Sequence, residues 1–159
     1  MKIAIVGAAY TGRAAALYFR NKGHSVSVST TRQERTAELA EVANHIVVMK
    51  GSDSAGMESL IRDADVVLLS MAGGLGVKDG KPYMDPVAYR DSYVGTADGL
   101  IAALPAAPKL RQIIFCSSMN AYGDANGVNP VNENTPANAA SPAAQVFIEA
   151  EQKLSALET

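Results

Sequence analysis

The feature that most constrains the fold of this chain is the small-residue turn that follows its first apolar run. Residues 3–6 (Ile-Ala-Ile-Val) lead at once into residues 7–12 (Gly-Ala-Ala-Tyr-Thr-Gly). Gly7 permits a sharp turn, a small residue at position 9 lets the backbone approach a pyrophosphate, and Gly12 lets the next helix pack closely on the strand. The amides and dipole of that helix would face the phosphates. Because Ala9 stands where the usual pattern has a glycine, a tight strand–helix turn without a ligand is the alternative interpretation.

Composition excludes several classes of protein. The 159 residues are 48% hydrophobic and 19% charged, which suits one globular domain with a core. The net charge is −2 without a basic stripe, so nucleic acid is not an expected partner. The single cysteine, Cys116, excludes an internal disulfide framework, indicates the cytoplasm, and is expected in the core. No apolar run approaches the roughly 20 residues that span a bilayer, so no membrane association is expected.

Strand and helix patterns alternate along the chain. Strands are predicted at 2–6, 25–29, 46–49, 66–70 and 112–116. Helices are predicted at 13–22, 33–42, 55–62, 87–104 and 142–157, with loops at 72–86 and 124–141. This order predicts an α/β fold, a doubly wound parallel sheet of the Rossmann type, in one domain over residues 1–159. Ligands of such sheets bind beyond the carboxyl ends of the strands, so the segments after each strand are the candidate site.

The residues after the second strand bear on the choice of cofactor. A protein that prefers NAD usually has Asp or Glu there to hold the ribose 2′-hydroxyl, whereas this chain has Ser-Thr-Thr-Arg at 29–32. A guanidinium pairs well with a 2′-phosphate, so Thr31 and Arg32 favour NADP(H), unless Arg32 is simply an exposed residue before a helix. Asp53 could accept from the adenine amino group and could also cap the third helix. The small residues around Ala72 would let a dinucleotide pass or would form a flexible turn.

A serine-rich segment follows the fifth strand. Ser117-Ser118 and then Tyr122-Gly123-Asp124 form a pattern that is unusual for a simple turn. Three further motifs follow the order of a known family: 89–96, which ends in Gly-Thr, 131–136, which contains Glu-x-Thr-Pro, and 149–151, which reads Glu-Ala-Glu. Together these motifs resemble the extended and atypical short-chain dehydrogenases/reductases, the NAD(P)-dependent epimerase/dehydratase group, over almost the whole chain.

This resemblance implies a nucleotide-binding fold and a set of site residues. The implied cofactor is NADP, with NAD as the alternative. Ser118 matches the serine with which the family binds a substrate hydroxyl. The residues expected to bind the cofactor are Gly7, Ala9, Tyr10, Thr11, Gly12, Thr31, Arg32, Asp53 and Ala72.

The family's catalytic pair is absent from the matching helix. On the register set by residues 149–151, the Tyr-x-x-x-Lys pair of the family falls on Ala143 and Phe147, which cannot exchange a proton. Lys153 is too far along the helix to substitute. Tyr122 is the candidate for another catalytic proton donor, although it could instead pack at the base of its loop. The sequence contains no metal-ligand cluster.

Three functions stay open. The first is an NADP(H)-dependent oxidoreductase or epimerase that acts on a small carbonyl or sugar-nucleotide substrate. The second is a non-catalytic NADP(H)-binding module that senses redox state, and the third is a scaffold that keeps only the fold. The family continues with a sixth strand and a substrate-binding lobe, so a fragment, or a domain completed by a partner, is expected. Apolar positions of the last helix would then lie open and favour a homodimer; they are Val146, Phe147, Ile148 and Leu154.

Overall fold

Five parallel strands form the central sheet of the computed structural model, which describes residues 1–123 and 131–157. Together with the two strands of a separate hairpin, the strands in chain order are β1 (Lys2–Val6), β2 (Ser25–Thr30), β3 (His45–Val48), β4 (Val66–Leu69), β5 (Leu75–Lys78), β6 (Lys81–Met84) and β7 (Gln112–Phe115). The sheet order is β3-β2-β1-β4-β7, and β5 and β6 form a separate hairpin. The doubly wound Rossmann-type sheet predicted from the sequence is confirmed, and each of its predicted strands lies within one residue of the observed bounds.

Helices pack on both faces of this sheet. They are α1 (Tyr10–Asn21), α2 (Thr36–Leu39), α3 (Ser54–Ile61), α4 (Pro86–Arg90), α5 (Thr96–Ala103) and α6 (Pro142–Ser155). The predicted helix 33–42 is shorter than expected, because a 3₁₀ turn at Gln33–Arg35 precedes α2. None of the helices in the part of the chain that the structure describes is long and apolar enough to cross a bilayer.

The predicted helix 87–104 is interrupted by a π-helical turn at Asp91–Gly95, which lies between α4 and α5. Here the Ser92 hydroxyl donates to the Ala88 carbonyl at 2.8 Å, and the Thr96 hydroxyl donates to the Ser92 carbonyl at 2.7 Å. These side-chain bonds compete with the main-chain ladder, so uninterrupted α-helical bonding is lost over one turn. Turns of this type often occur near functional sites.

The segment 72–86 was expected to be a loop, and this prediction was wrong. It contains the β5–β6 hairpin, whose two-residue turn is Asp79-Gly80 with φ angles of 53° and 73°. Positive φ at both positions matches the twist of antiparallel strands, and Asp-Gly is a preferred sequence for it. The hairpin therefore results from local turn chemistry.

The core lies on both faces of β1. Ile3 and Ile5 pack on the α1 and α2 side, whereas Ala4 and Val6 pack on the α3 and α5 side. All four are nearly inaccessible to solvent, as expected for the central strand of a doubly covered sheet. This packing on both faces holds the carboxyl ends of the strands in place.

The apolar face of α6 is covered, contrary to expectation. Val146, Phe147 and Ile148 are only 9%, 5% and 7% exposed, because α4 and the π-helical turn pack against them through Tyr89 and Tyr93. This contact between helices distant in sequence covers the apolar surface that favoured a homodimer. The homodimer itself stays a prediction, and the mass of the protein in solution would test it.

Candidate nucleotide and substrate site

A groove crosses the carboxyl ends of the strands where the chain order of the sheet reverses, between β1 and β4. It consists of two adjoining cavities of about 360 and 320 Å³, which share Ala9, Met71 and Ala72. The first, the β2-side cavity, extends over the end of β2. The second, the β7-side cavity, extends toward the end of β7. This is the place where ligands bind in open α/β sheets.

The turn after β1 is built for close approach. Gly7 has a φ of 86°, its N–H donates to Ser29 Oγ at 3.0 Å, and its carbonyl accepts from Ser70 Oγ at 3.0 Å. A Cβ on Gly12 would lie 2.3 Å from the Gly7 oxygen, so only glycine allows α1 to sit this close to the strand. Within the described residues, no side chain caps the N-terminus of α1, so the amides of its first turn are open to the groove. The cradle fits a pyrophosphate.

Most of the predicted cofactor residues line one or both cavities of the groove. Gly7, Thr31 and Arg32 line the β2-side cavity, and Tyr10 and Thr11 line the β7-side cavity. Ala9 and Ala72 line both cavities. Gly12 is buried beneath the groove and acts through packing.

Asp53 lies apart from the groove. Its carboxylate accepts the Gly56 N–H at 3.1 Å and caps α3, which was one of its two expected roles. Asp53 lines neither of the two cavities of the groove. The structure therefore does not bring it together with the other predicted cofactor residues.

Arg35 is a groove residue that the sequence reasoning missed. Its Nη1 donates to the Ala8 carbonyl at 2.8 Å, and its Nε and Nη2 donate to Glu38 at 3.2 and 3.0 Å. It lines the β2-side cavity together with Arg32. A basic residue three positions after Arg32 was the available signal, but the expected helix from position 33 gave no reason to direct that side chain toward the groove.

Glu38 connects two arginines beside this cavity. Arg13 Nε lies 3.0 Å from the same Glu38 oxygen that accepts from Arg35, and Arg13 Nη2 lies 3.7 Å from Glu41. The hydrogen bonds from Arg35 are the main reason that the pKa of Glu38 lies below its usual range. Glu38 is thus a charged carboxylate at neutral pH.

The β7-side cavity carries hydroxyl groups from the serine-rich segment. Ser118 lines it, and its Oγ accepts the Asn120 N–H at 3.2 Å, which caps a 3₁₀ turn at Met119–Tyr122. The Ser117 hydroxyl donates to the Glu151 carboxylate on α6. Cys116 was expected in the core, but it is exposed and lines the cavity, because it follows the last residue of the edge strand β7.

Tyr122 is not brought to this cavity. It lines a separate space of about 600 Å³ with polar neighbours that include Asn120, Asn138 and Ser141. The structure therefore does not join Tyr122 to Ser118 as a catalytic pair. Asp124, the last residue of the Tyr-Gly-Asp motif, lies outside the described residues.

Aromatic rings occupy the wall of the β7-side cavity where the family pattern has a lysine. Phe147 lines this wall with its ring centroid 4.5 Å from that of Tyr93 and 6.0 Å from that of Tyr89. Burial raises the pKa of both tyrosines, so both phenols are neutral at pH 7. Tyr93 lines the cavity as well, and sequence reasoning missed it because a tyrosine in a helix pattern is typical of core packing.

Two ion pairs tie α6 to the helices opposite. Arg90 and Glu149 form a bidentate pair with N–O distances of 2.5 and 2.6 Å, and Lys153 Nζ lies 2.8 Å from Asp98. Arg90 lowers the pKa of Glu149, and Glu149 raises the pKa of Arg90. These exposed pairs link α6 to α4 and α5 at the surface.

The fold and the groove together define an NAD(P)-binding protein of the Rossmann type. Residues 3–152 match the model of the NAD dependent epimerase/dehydratase family, and the chain belongs to that family. The family expected from the sequence motifs is thus confirmed. A search of the curated proteins found no significant match.

Several solved structures share this fold. The chain is similar to a short-chain dehydrogenase/reductase superfamily protein from Agrobacterium tumefaciens with bound NAD, at 24% identity and a TM-score of 0.73. It is also similar to the UDP-Glc/GlcNAc 4-epimerase from Campylobacter jejuni (22%, 0.76) and to UDP-glucose 4-epimerase from Thermotoga maritima with UDP-glucose (19%, 0.78). The matches cover 97%, 97% and 98% of this chain but only 44%, 48% and 50% of those chains, so it spans about half their length.

Proposed function

We propose that this chain is the NADP(H)-binding part of an oxidoreductase or epimerase that acts on a small carbonyl or sugar-nucleotide substrate. The observation that carries the proposal is the continuous groove that joins a pyrophosphate cradle to a cavity with serine hydroxyls. Family membership and the NAD-bound superfamily neighbour support a nicotinamide cofactor. A bound nicotinamide would supply or accept a hydride.

The residues of the groove have distinct roles in this proposal. The open amides of the first turn of α1 hold the pyrophosphate. Arg32 and Thr31 lie at the end of β2 and bind the 2′-phosphate that distinguishes NADP from NAD. Ser118 orients a substrate hydroxyl or carbonyl in the β7-side cavity.

A second candidate function is a non-catalytic NADP(H)-binding module that senses redox state. The observation that favours it is the replacement of the family's proton-exchanging pair by Ala143 and Phe147, with Phe147 packed among aromatic rings. Hydride transfer needs a cofactor and a positioned carbonyl, so this replacement does not by itself remove catalysis. The two candidates share the cofactor and differ in turnover.

Calorimetric titration with NADPH and NADH tests the common part. We expect NADPH to bind at least about tenfold more tightly than NADH, because only NADPH has a 2′-phosphate for the arginine side of the groove. Equal binding would remove the cofactor preference, and binding of neither would overturn both candidates. Turnover of NADPH with a panel of carbonyl compounds and sugar nucleotides then separates the enzyme from the sensor.

A further inference from the structure

The guanidinium of Arg35 is held in place from two sides. One of its nitrogens bonds to the Ala8 carbonyl within the glycine turn, and the other two bond to Glu38 on α2. The Arg35 side chain is 15% exposed, whereas that of Glu38 is 46% exposed. The arginine is therefore the fixed member of the pair, and the carboxylate is the member that can move into solvent.

Glu38 occupies two of the donors of Arg35, and Arg35 is a residue that lines the nucleotide groove. Arg35 lines the β2-side cavity beside Arg32 and Thr31, where a charged phosphate on an adenosine ribose would lie. A guanidinium binds a phosphate through paired N–H donors, and the donors of Arg35 that are paired in this way now bond to Glu38. A phosphate that binds Arg35 through this pair of donors would therefore have to displace the Glu38 carboxylate.

Displacement of Glu38 would not leave it unpaired. Arg13, on α1, already lies 3.0 Å from one of its oxygens and stays available after Arg35 is released. Arg35 would keep its bond to Ala8, so the glycine turn would hold its shape during the exchange. A phosphate carries more negative charge than one carboxylate, which favours the exchange at neutral pH.

We propose that Glu38 is an internal counter-ion of Arg35 that the 2′-phosphate of the nucleotide displaces, so that Glu38 limits the selectivity of this site for 2′-phosphorylated nucleotides. The inference rests on the proposed function, because it assumes that a nucleotide binds the groove. It assigns to Arg35 the second guanidinium contact with that phosphate, beside Arg32. Glu38 acts on binding through Arg35 and is a specificity-determining residue.

The test compares two nucleotides that differ in one phosphate, 2′,5′-ADP and 5′-AMP, by calorimetry. Glu38→Gln keeps the shape of the side chain but removes its charge, and we expect it to raise the affinity for 2′,5′-ADP about three- to tenfold. The affinity for 5′-AMP should change less than about twofold. A gain of affinity cannot result from a misfolded variant.

Glu41→Gln is the matched control. Glu41 pairs with Arg13 at 3.7 Å, is 74% exposed, and carries the same charge close to Glu38, but its ion pair is with Arg13 rather than Arg35. Its substitution should change the affinity for 2′,5′-ADP less than about twofold, because exposed charges at a distance are screened. An equal gain in both variants would assign the effect to net charge and overturn the proposal.

Arg35→Met should change the affinity for 2′,5′-ADP in the opposite direction. It should lower the affinity for 2′,5′-ADP at least about tenfold. In a protein that already carries Arg35→Met, adding Glu38→Gln should no longer raise the affinity for 2′,5′-ADP. If 2′,5′-ADP binds in preference to 5′-AMP but Glu38→Gln leaves its affinity unchanged or lower, this inference fails and the proposed function stands. If neither nucleotide binds, the proposed function fails and the inference fails with it.

Discussion

The ring of Phe147 packs against the ring of Tyr93 with centroids 4.5 Å apart and planes inclined by 53°. This contact joins α6 to the π-helical turn between α4 and α5. In the family pattern, position 147 would hold a lysine next to the cofactor. Here the same position contributes an apolar wall to the groove and a central contact to the core.

Phe147→Ala should destabilise the protein by about 3–5 kcal/mol, because it leaves a cavity among buried aromatic rings. Urea denaturation would measure the loss of unfolding free energy, provided that its dependence on urea concentration is the same in both proteins. Leu17→Ala is the comparison, since Leu17 lies on the exposed side of α1 at 41% exposure and its loss should cost only about 0.5 kcal/mol. Similar losses for the two variants would show that the aromatic cluster does not stabilise α6.

Gly12→Val should abolish nucleotide binding. A side chain there would collide with the Gly7 carbonyl, which a Cβ approaches to 2.3 Å, and would push α1 and its open amides away from the groove. Gly76→Ala serves as control, because a Cβ at Gly76 meets no atom within 4 Å. Calorimetry with NADPH checks binding, and circular dichroism checks that helix content is kept. Unchanged affinity in Gly12→Val would show that the close turn has no role in binding.

Arg32→Glu should weaken NADP⁺ binding at least about tenfold and NAD⁺ binding by about twofold or less, because it replaces a phosphate partner with a like charge. Arg62→Glu makes the same change of charge at the amino ends of the strands, beside a separate cavity. That control should affect neither cofactor by more than about twofold. Equal effects of Arg32→Glu on both cofactors would contradict the role given to Arg32.

Stability should fall in acid as Asp65 is protonated. The carboxylate of Asp65 accepts the Lys2 N–H at 2.7 Å, and this backbone bond is the main reason that its pKa is lowered. A carboxyl whose pKa is lower in the folded state stabilises the fold above its unfolded pKa of about 4, and this contribution is lost as the pH falls through the folded value. The urea concentration at the midpoint of unfolding should therefore decrease as the pH is lowered below about 5.

Asp65→Asn separates this group from the other acids. The variant keeps a side-chain acceptor for the Lys2 N–H but cannot titrate. Its urea midpoint should be lower than that of the parent protein at pH 7, and the two should converge as the pH approaches 3. A parallel decline of both proteins would assign the acid sensitivity to other carboxylates, such as Glu38 and Glu149, whose pKa values are also lowered.

The strands and the glycine turn were predictable because their signals are local. The apolar run at 3–6 and Gly7 lie next to each other in sequence, and strand identity depends on a few consecutive side chains. The hairpin at 75–84 was missed although its Asp79-Gly80 turn is also a local signal. The abundant glycine, proline and lysine of the segment are typical of a loop, whereas the hairpin depends on one specific dipeptide.

The sequence by itself determined the succession of strands and helices along the chain, the position of the glycine turn and the absence of the Tyr-x-x-x-Lys pair, because each depends on residue type at fixed spacing. Only the tertiary structure decided that Arg35 reaches the groove, that Tyr122 does not, and that Phe147 is buried against Tyr93. These outcomes depend on where a 3₁₀ turn, a π-helical turn and a distant helix direct each side chain. Such directions arise from packing between segments far apart in the chain, which residue spacing does not encode.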